Sequence, residues 1–198
     1  MSSTASCYDR PTQEVAMDFS EIYDLHYGPV RAFVSKMVGD RWMADDLTQD
    51  TFIKVQENLN GLKDDTKLMP WIFRIARNRC LDYFRSGAVK NKGQELTYRL
   101  QKSIEPAAQM QLEQNQMSRC VQDKSYLLPE TLRVTLVLSD TMEMTHQEIA
   151  DILGITVNNV KVRIYRARKA FKEILEQECI LEHDERSVMV CEPKTDAP

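Results

Sequence analysis

Apolar residues recur every three to four positions through most of this chain, and strand-like alternation is nearly absent. Phe19, Ile22, Tyr23, His26, Val30, Phe33, Val34 and Met37 predict an amphipathic helix near 18–38. Pro29 falls inside it, where a ring is expected to kink the helix or divide it. Ala44, Leu47, Thr51, Phe52 and Val55 predict a second helix near 42–59, followed by a polar loop. Pro70 suits the first turn of a third helix, with Ile72, Ile75, Ala76, Cys80 and Tyr83 or Phe84 facing a core. Residues 87–105 are polar, with Gly87 and Gly93, and read as a flexible linker. Helical, Gln- and Met-rich sequence resumes at Pro106 and ends before Leu128 and Pro129, where Pro129 starts another helix. The expected fold is all-α, with two small helical domains at 18–86 and 106–176 joined by that linker. A 1–17 extension precedes them, and a 177–198 tail follows.

The densest pattern lies at 144–175, MTHQEIADILGITVNNVKVRIYRARKAFKEIL. Thr145 and Glu148 have capping-box spacing, and Gly154 fits the left-handed residue that ends a helix. Thr156 caps the next helix, whose Val160 and Ile164 face inward. Lys161, Arg163, Arg166, Arg168, Lys169 and Lys172 follow, with no acid between Asp151 and Glu173. Two short helices around a tight turn, the second strongly cationic, predict a DNA-reading helix-turn-helix. The plainer alternative is an amphipathic pair with a solvated basic face.

Overall charge changes that picture. The 198 residues carry a formal net charge of −4, so the cationic helix is local and the rest of the chain is acidic. Phosphate contacts dominate affinity for DNA, so such a chain is expected to bind naked DNA poorly and to act as a subunit. No apolar run is long enough to span a membrane, and 1–19 lacks a secretory signal, which predicts a cytoplasmic protein without membrane insertion. Five scattered cysteines argue against a disulfide framework.

The first domain holds two further features. Asp45, Asp46, Gln49 and Asp50 cluster on the second helix. Carboxylates this close call for a cationic partner, either a basic protein surface or a metal ion. The metal alternative is an enzyme using Asp45, Asp46 and Asp50, but the Asp-Asp-x-x-x-Asp spacing is unusual and no second acidic cluster accompanies it. The third helix joins Arg74, Arg77, Arg79 and Arg85 to Trp71, Phe73, Tyr83 and Phe84, a mixture suited to single-stranded nucleic acid unless the aromatics fill a core.

In this order the blocks resemble the bacterial sigma-70 family of sigma factors, in its small extracytoplasmic-function (ECF) group. DLTQDTFIKV resembles the segment that docks on the polymerase, and WIFRIARNRCLDYFR the segment that melts and reads the −10 element. LPETLRVTLVL with EIADILGITVNNVKVRIYRARKAF resembles region 4, the −35 reader. The resemblance covers about 18–176. It implies that Asp45, Asp46, Gln49 and Asp50 bind core RNA polymerase, and that Lys63, Lys67, Trp71, Arg74, Arg77 and Asn78 act at the −10 element. Asn158, Asn159, Lys161, Val162, Arg163 and Arg166 would read the −35 element. It also implies an anti-sigma factor as a further partner, no required cofactor, and catalysis left to the polymerase. Asn159 to Arg163 departs from the Thr-Val-Lys-Ser-Arg of many relatives, so promoter preference does not carry over. A free-standing helix-turn-helix regulator is the main rival; the acidic cluster and the Trp-Arg helix argue against it.

The tail stands apart. Cys179, His183 and Cys191 are candidate Zn²⁺ ligands, and Cys179 with Cys191 a candidate reversible disulfide, but the spacing matches no standard zinc signature. Ser187–Cys191 has weak strand character and is able to fold back on a turn at 184–186.

Overall fold

The computed structural model describes residues 18–62, 64–86, 120–183 and 189–193. The linker, the N-terminal extension, residues 106–119 and Lys63 lie outside them. Helix α1 spans Phe19–Val38, α2 Arg41–Asn58 and α3 Leu68–Arg85. Short 3₁₀ turns at Leu59–Gly61 and Asp65–Lys67 join α2 to α3. Residues 120–125 are helical, and α4 follows at Glu130–Leu136, running into a π-helical turn at Val137–Thr141. The helix-turn-helix is α5, His146–Leu153, and α6, Val157–Glu178. No helix among the described residues is long and apolar enough to cross a membrane.

Local signals explain these boundaries. The Asp18 and Glu21 pair forms a capping box on α1, and the Asp40 carboxylate accepts from the Trp42 and Met43 amides at 2.9 and 3.0 Å to start α2. Helix α1 runs through Pro29 without a break, so of the two expected outcomes the division does not occur. The ring deprives the Leu25 carbonyl of its donor, but Leu25 and Pro29 both lie on the exposed side, where water can satisfy it. Thr48 and Thr51 are buried in α2 because their hydroxyls donate to the Ala44 and Leu47 carbonyls, at 2.6 and 2.7 Å.

Helices α1, α2 and α3 pack on one another around Ile22, Phe33, Phe52, Ile72 and Phe73, with the Phe33 and Phe73 rings edge to face at 5.5 Å. Val134, Leu138, Ile149, Ile152 and Val160 belong to the same continuous core, so the second helical unit sits directly on the first. The contact runs mainly through α3 against α5, and through α1 against the π-helical turn. A smaller cluster of Leu128, Leu136 and Ala167, with Phe171 and Ile174 beside it, fastens the far half of α6 to α4. The tail adds one non-helical piece: β1, Cys179–His183, pairs antiparallel with β2, Met189–Pro193, with Leu181 opposite Cys191. The second strand overlaps 187–191, where strand character is expected; a strand at Cys179–His183 is not anticipated in the sequence.

The turn between α1 and α2 is the tightest point of the seam. Gly39 ends α1 in the left-handed region at φ 72°, and a Cβ there would lie 2.8 Å from Tyr126 Cζ. Gly39→Ala is therefore expected to destabilise the fold by about 1–2 kcal/mol from the backbone conformation alone, with the ring overlap added. Urea denaturation measures the loss, and a second substitution, Tyr126→Ala, should abolish the overlap component; equal losses in both backgrounds would rule out the close approach as a cause.

Candidate nucleic-acid interface

Helix α6 is held at its start and at its middle. The Thr156 hydroxyl accepts from the Asn159 amide at 3.3 Å, while Gly154 turns the chain at φ 66°. The capping box of α5 forms as its spacing predicts, with the Thr145 amide donating to Glu148 Oε2 at 2.8 Å. Val160 and Ile164 are buried, which turns Asn158, Asn159, Lys161, Val162 and Arg166 outward. Arg163 is half-buried, and its charge acts on Arg77 of α3. Tyr165 also projects from this face, 69% exposed between Lys161 and Lys169, and was missed in the sequence; its signal was the four-residue spacing from both lysines. Arg168 is committed elsewhere, gripping Asp140 through Nε at 3.0 Å and Nη2 at 2.7 Å. Lys169 and Lys172 pair with Glu173 and Glu176 one turn on, so the free positive charge concentrates in the first half of α6.

The third helix divides its aromatics between core and surface. Phe73 is buried in the core, while Trp71, Tyr83 and Phe84 are half-buried at its margin. Lys67, Arg74 and Asn78 are exposed, and Arg77 is half-buried. Burial lowers the Arg77 guanidinium below its ordinary value, and the charges of Arg163, Arg85 and Arg74 act in the same direction. Cationic residues from both helical units thus converge at the α3 side of the seam. Lys67 Nζ contacts Asp151 Oδ2 at 2.7 Å, and Arg74 Nη2 donates to the Asp151 carbonyl oxygen.

On α2 the expected acidic group splits. Asp46, Gln49 and Asp50 are exposed, and Ile53 continues their face at 52% exposure. Asp45 points instead to Arg31 on α1, whose Nε donates to it at 2.5 Å. That hydrogen bond and the nearby guanidinium charge hold the Asp45 carboxyl below its ordinary range. In the tail, Cys179 is buried with a free thiol; the side chains of His183 and Cys191 lie outside the described residues. No three potential metal ligands gather among the described residues.

A helix-turn-helix with an outward polar and cationic start, joined to a second cationic helix and an exposed acidic face, defines a two-part DNA-binding protein that works with a partner. Family models agree: sigma-70 region 2 matches residues 22–89, and sigma-70 region 4 matches 120–171. The RNA polymerase sigma factor SigZ of Bacillus subtilis is 30% identical, over 85% of this chain and 93% of its own length. The ECF sigma factor SigM of the same organism is 29% identical, over 80% and 95%. Among solved structures, CnrH in complex with the cytosolic domain of CnrY is 26% identical with a TM-score of 0.58, covering 80% of this chain and 88% of that one. The sigma factor RpoE of Bartonella quintana, solved with the anti-sigma factor NepR, shares the fold at a TM-score of 0.57, 23% identity, and coverage of 80% and 97%. The chain belongs to the sigma-70 family of RNA polymerase sigma factors, in its ECF group.

The Asp140–Arg168 pair gives a pH test. Burial pushes the Asp140 carboxyl up, but hydrogen bonds from Arg168 and Ser139 and the Arg168 charge outweigh it and hold the group below its ordinary 3.8. A carboxyl depressed on folding stabilises above its unfolded pKa and loses that contribution as pH falls through the lower folded value. Asp140→Asn is expected to cost up to about 1 kcal/mol near neutral pH. The gap between wild type and variant in urea midpoint should close only below pH 3.8; a gap already closed at pH 5 would refute the depression.

Proposed function

We propose that this sigma factor recruits core RNA polymerase through Asp46, Gln49 and Asp50, reads the −35 element with α6, and opens and reads the −10 element with α3. The observation that carries the reading is the pairing of two separate cationic surfaces, on α3 and α6, with an unpaired acidic face on α2. Asn158, Asn159, Lys161, Val162, Arg163 and Arg166 supply the −35 contacts. Asn can pair bidentately with an adenine edge, and Val can pack on a thymine methyl. Tyr165 joins them as a further contact of that face. Lys67, Trp71, Arg74, Arg77 and Asn78 supply the −10 contacts, cations for phosphate and an indole for stacking; Lys63 is assigned there from the sequence. Asp45 is reassigned from docking to bracing α1 against α2, because Arg31 already neutralises it.

The chain supplies no catalysis of its own, acts in the cytoplasm beside the polymerase, and needs no cofactor for initiation. An anti-sigma factor is proposed as a further partner, since the Bartonella quintana sigma factor of the same fold is found in complex with one. Zinc in the tail, on Cys179, His183 and Cys191, is a separate assignment that metal analysis of protein purified under reducing conditions decides.

Gel shift and run-off transcription on a genomic fragment library, with and without core polymerase, test the main reading; tight specific binding without polymerase would replace it with a free-standing regulator. Asp46→Ala and Asp50→Ala should each weaken holoenzyme assembly about tenfold, or about 1.4 kcal/mol, whereas Asp45→Ala should lower stability and leave assembly intact. Asn159→Ala should reduce discrimination at one −35 base pair by about 1–3 kcal/mol, read from promoter-variant competition.

A further inference from the structure

We propose that Trp42, at the start of α2, and Asp46, one turn further on, form a clamp for an arginine on a basic helix of core RNA polymerase. The indole stacks on the guanidinium while the carboxylate accepts a hydrogen bond from it. The inference rests on the docking role given to Asp46, Gln49 and Asp50, and adds to it an aromatic anchor and the chemistry of the group it takes.

At 78% exposed, Trp42 is the most exposed large apolar side chain among the described residues. It takes no part in the core, because α2 buries Ala44, Leu47, Thr48, Thr51, Phe52 and Val55 on its opposite side. Its backbone is nonetheless fixed. The Asp40 carboxylate accepts from the Trp42 and Met43 amides, Met43 packs against the core, and Ala44 is fully buried. An indole on such a base has only its two side-chain torsions left to order, so covering it costs little entropy.

Helical spacing sets Trp42 in line with Asp46, Gln49 and Ile53, which follow at steps of four, three and four residues and are all exposed. Asp50 lies beside the line. The stripe is about 17 Å long at 1.5 Å per residue, apolar at both ends and anionic between. Asp46 and Asp50 meet no cation among the described residues, whereas Arg31 and Arg41 both act on Asp45 at the flank.

This composition selects the occupant. The carboxylates repel a phosphate chain, and neither an indole nor an isoleucine is a metal ligand. A second copy of the same face would set Asp46 and Asp50 against their own kind. A basic helix satisfies the acids and covers both apolar ends. Side chains four apart on a helix have Cβ atoms about 5–6 Å from each other, which brings one cation within reach of both Trp42 and Asp46. Arginine fits better than lysine, since its flat guanidinium stacks on an indole and keeps N–H donors free at its edge.

The test measures assembly of the full chain with core polymerase, by competition against fluorescently labelled wild type. Trp42→Ala, Trp42→Phe, Asp46→Ala and the Trp42→Ala/Asp46→Ala pair are compared, with circular dichroism confirming that each keeps its helices. Trp42→Ala should weaken assembly tenfold or more, and Trp42→Phe by less, because a smaller ring still stacks. The double variant should lose clearly less than the product of the two single losses, since either substitution already releases the shared arginine. A photocrosslinking substitution, Trp42→p-benzoylphenylalanine, should capture a polymerase segment that contains an arginine. Multiplicative losses, or a captured segment without arginine, overturn the clamp. If Trp42→Ala assembles like wild type while Asp46→Ala is weakened, the anchor fails and the docking reading stands. If neither variant is weakened, the docking reading fails and the inference with it. A dimer of the free chain in sedimentation that Trp42→Ala abolishes would assign the face to a second copy and overturn the proposal.

Discussion

A buried guanidinium organises the seam on which the described structure depends. Arg133 of α4 is 7% exposed, lies 4.6 Å over the Phe84 ring of α3 and 5.3 Å from the Tyr126 ring, and its Nε finds no hydrogen-bond partner among the described residues. Burial lowers its proton affinity, yet a guanidinium remains charged at any physiological pH. A cation held between aromatic faces gains less than it would in water or beside a carboxylate. The join between the two units is thus continuous in apolar packing but carries an uncompensated polar cost at its centre. Apolar burial holds the units together; desolvation of Arg133 and repulsion among the arginines at the α3 end oppose it.

That balance distinguishes the interior of each unit from the join between them. Within each unit several polar groups are satisfied by near neighbours: Thr48 and Thr51 bond to their own helix, Asp45 to Arg31, Asp140 to Arg168. Across the join they are exposed, water-replaceable or unsatisfied.

The helices and the helix-turn-helix were legible because each is fixed by neighbours within about four residues: periodicity, a capping pair, a glycine at the turn. Thr145, Glu148, Gly154, Val160 and Ile164 behave as their spacing predicts. What depends on distant residues was not legible. Asp45 and Asp46 are adjacent and chemically identical, and only the approach of Arg31, from another helix, separates their roles. The contacts of Asp151 depend on Lys67 in the turn before α3 and on Arg74 of α3, neither of them near it in sequence. Pro29 leaves α1 undivided because the cost of a missing hydrogen bond depends on which side of the helix it falls, and here that side is wet. Tyr165 was passed over because an apolar ring in an amphipathic helix is usually core.

The recognition helix shows why those local and distant constraints must coexist. A reader of base edges needs its first two turns fixed to within tenths of an ångström, since hydrogen-bond geometry decides discrimination. Helix α6 meets this with the Thr156 cap at one end, Val160 and Ile164 against α5 in the middle, and the forked Arg168–Asp140 pair beyond. All three attachments lie within the second unit. The reading face is therefore set chiefly by contacts inside its own unit. Were α6 instead braced chiefly against α3, the contacts that specify sequence would depend on the seam. Placing its supports on α4, α5 and the π-helical turn keeps them independent of it.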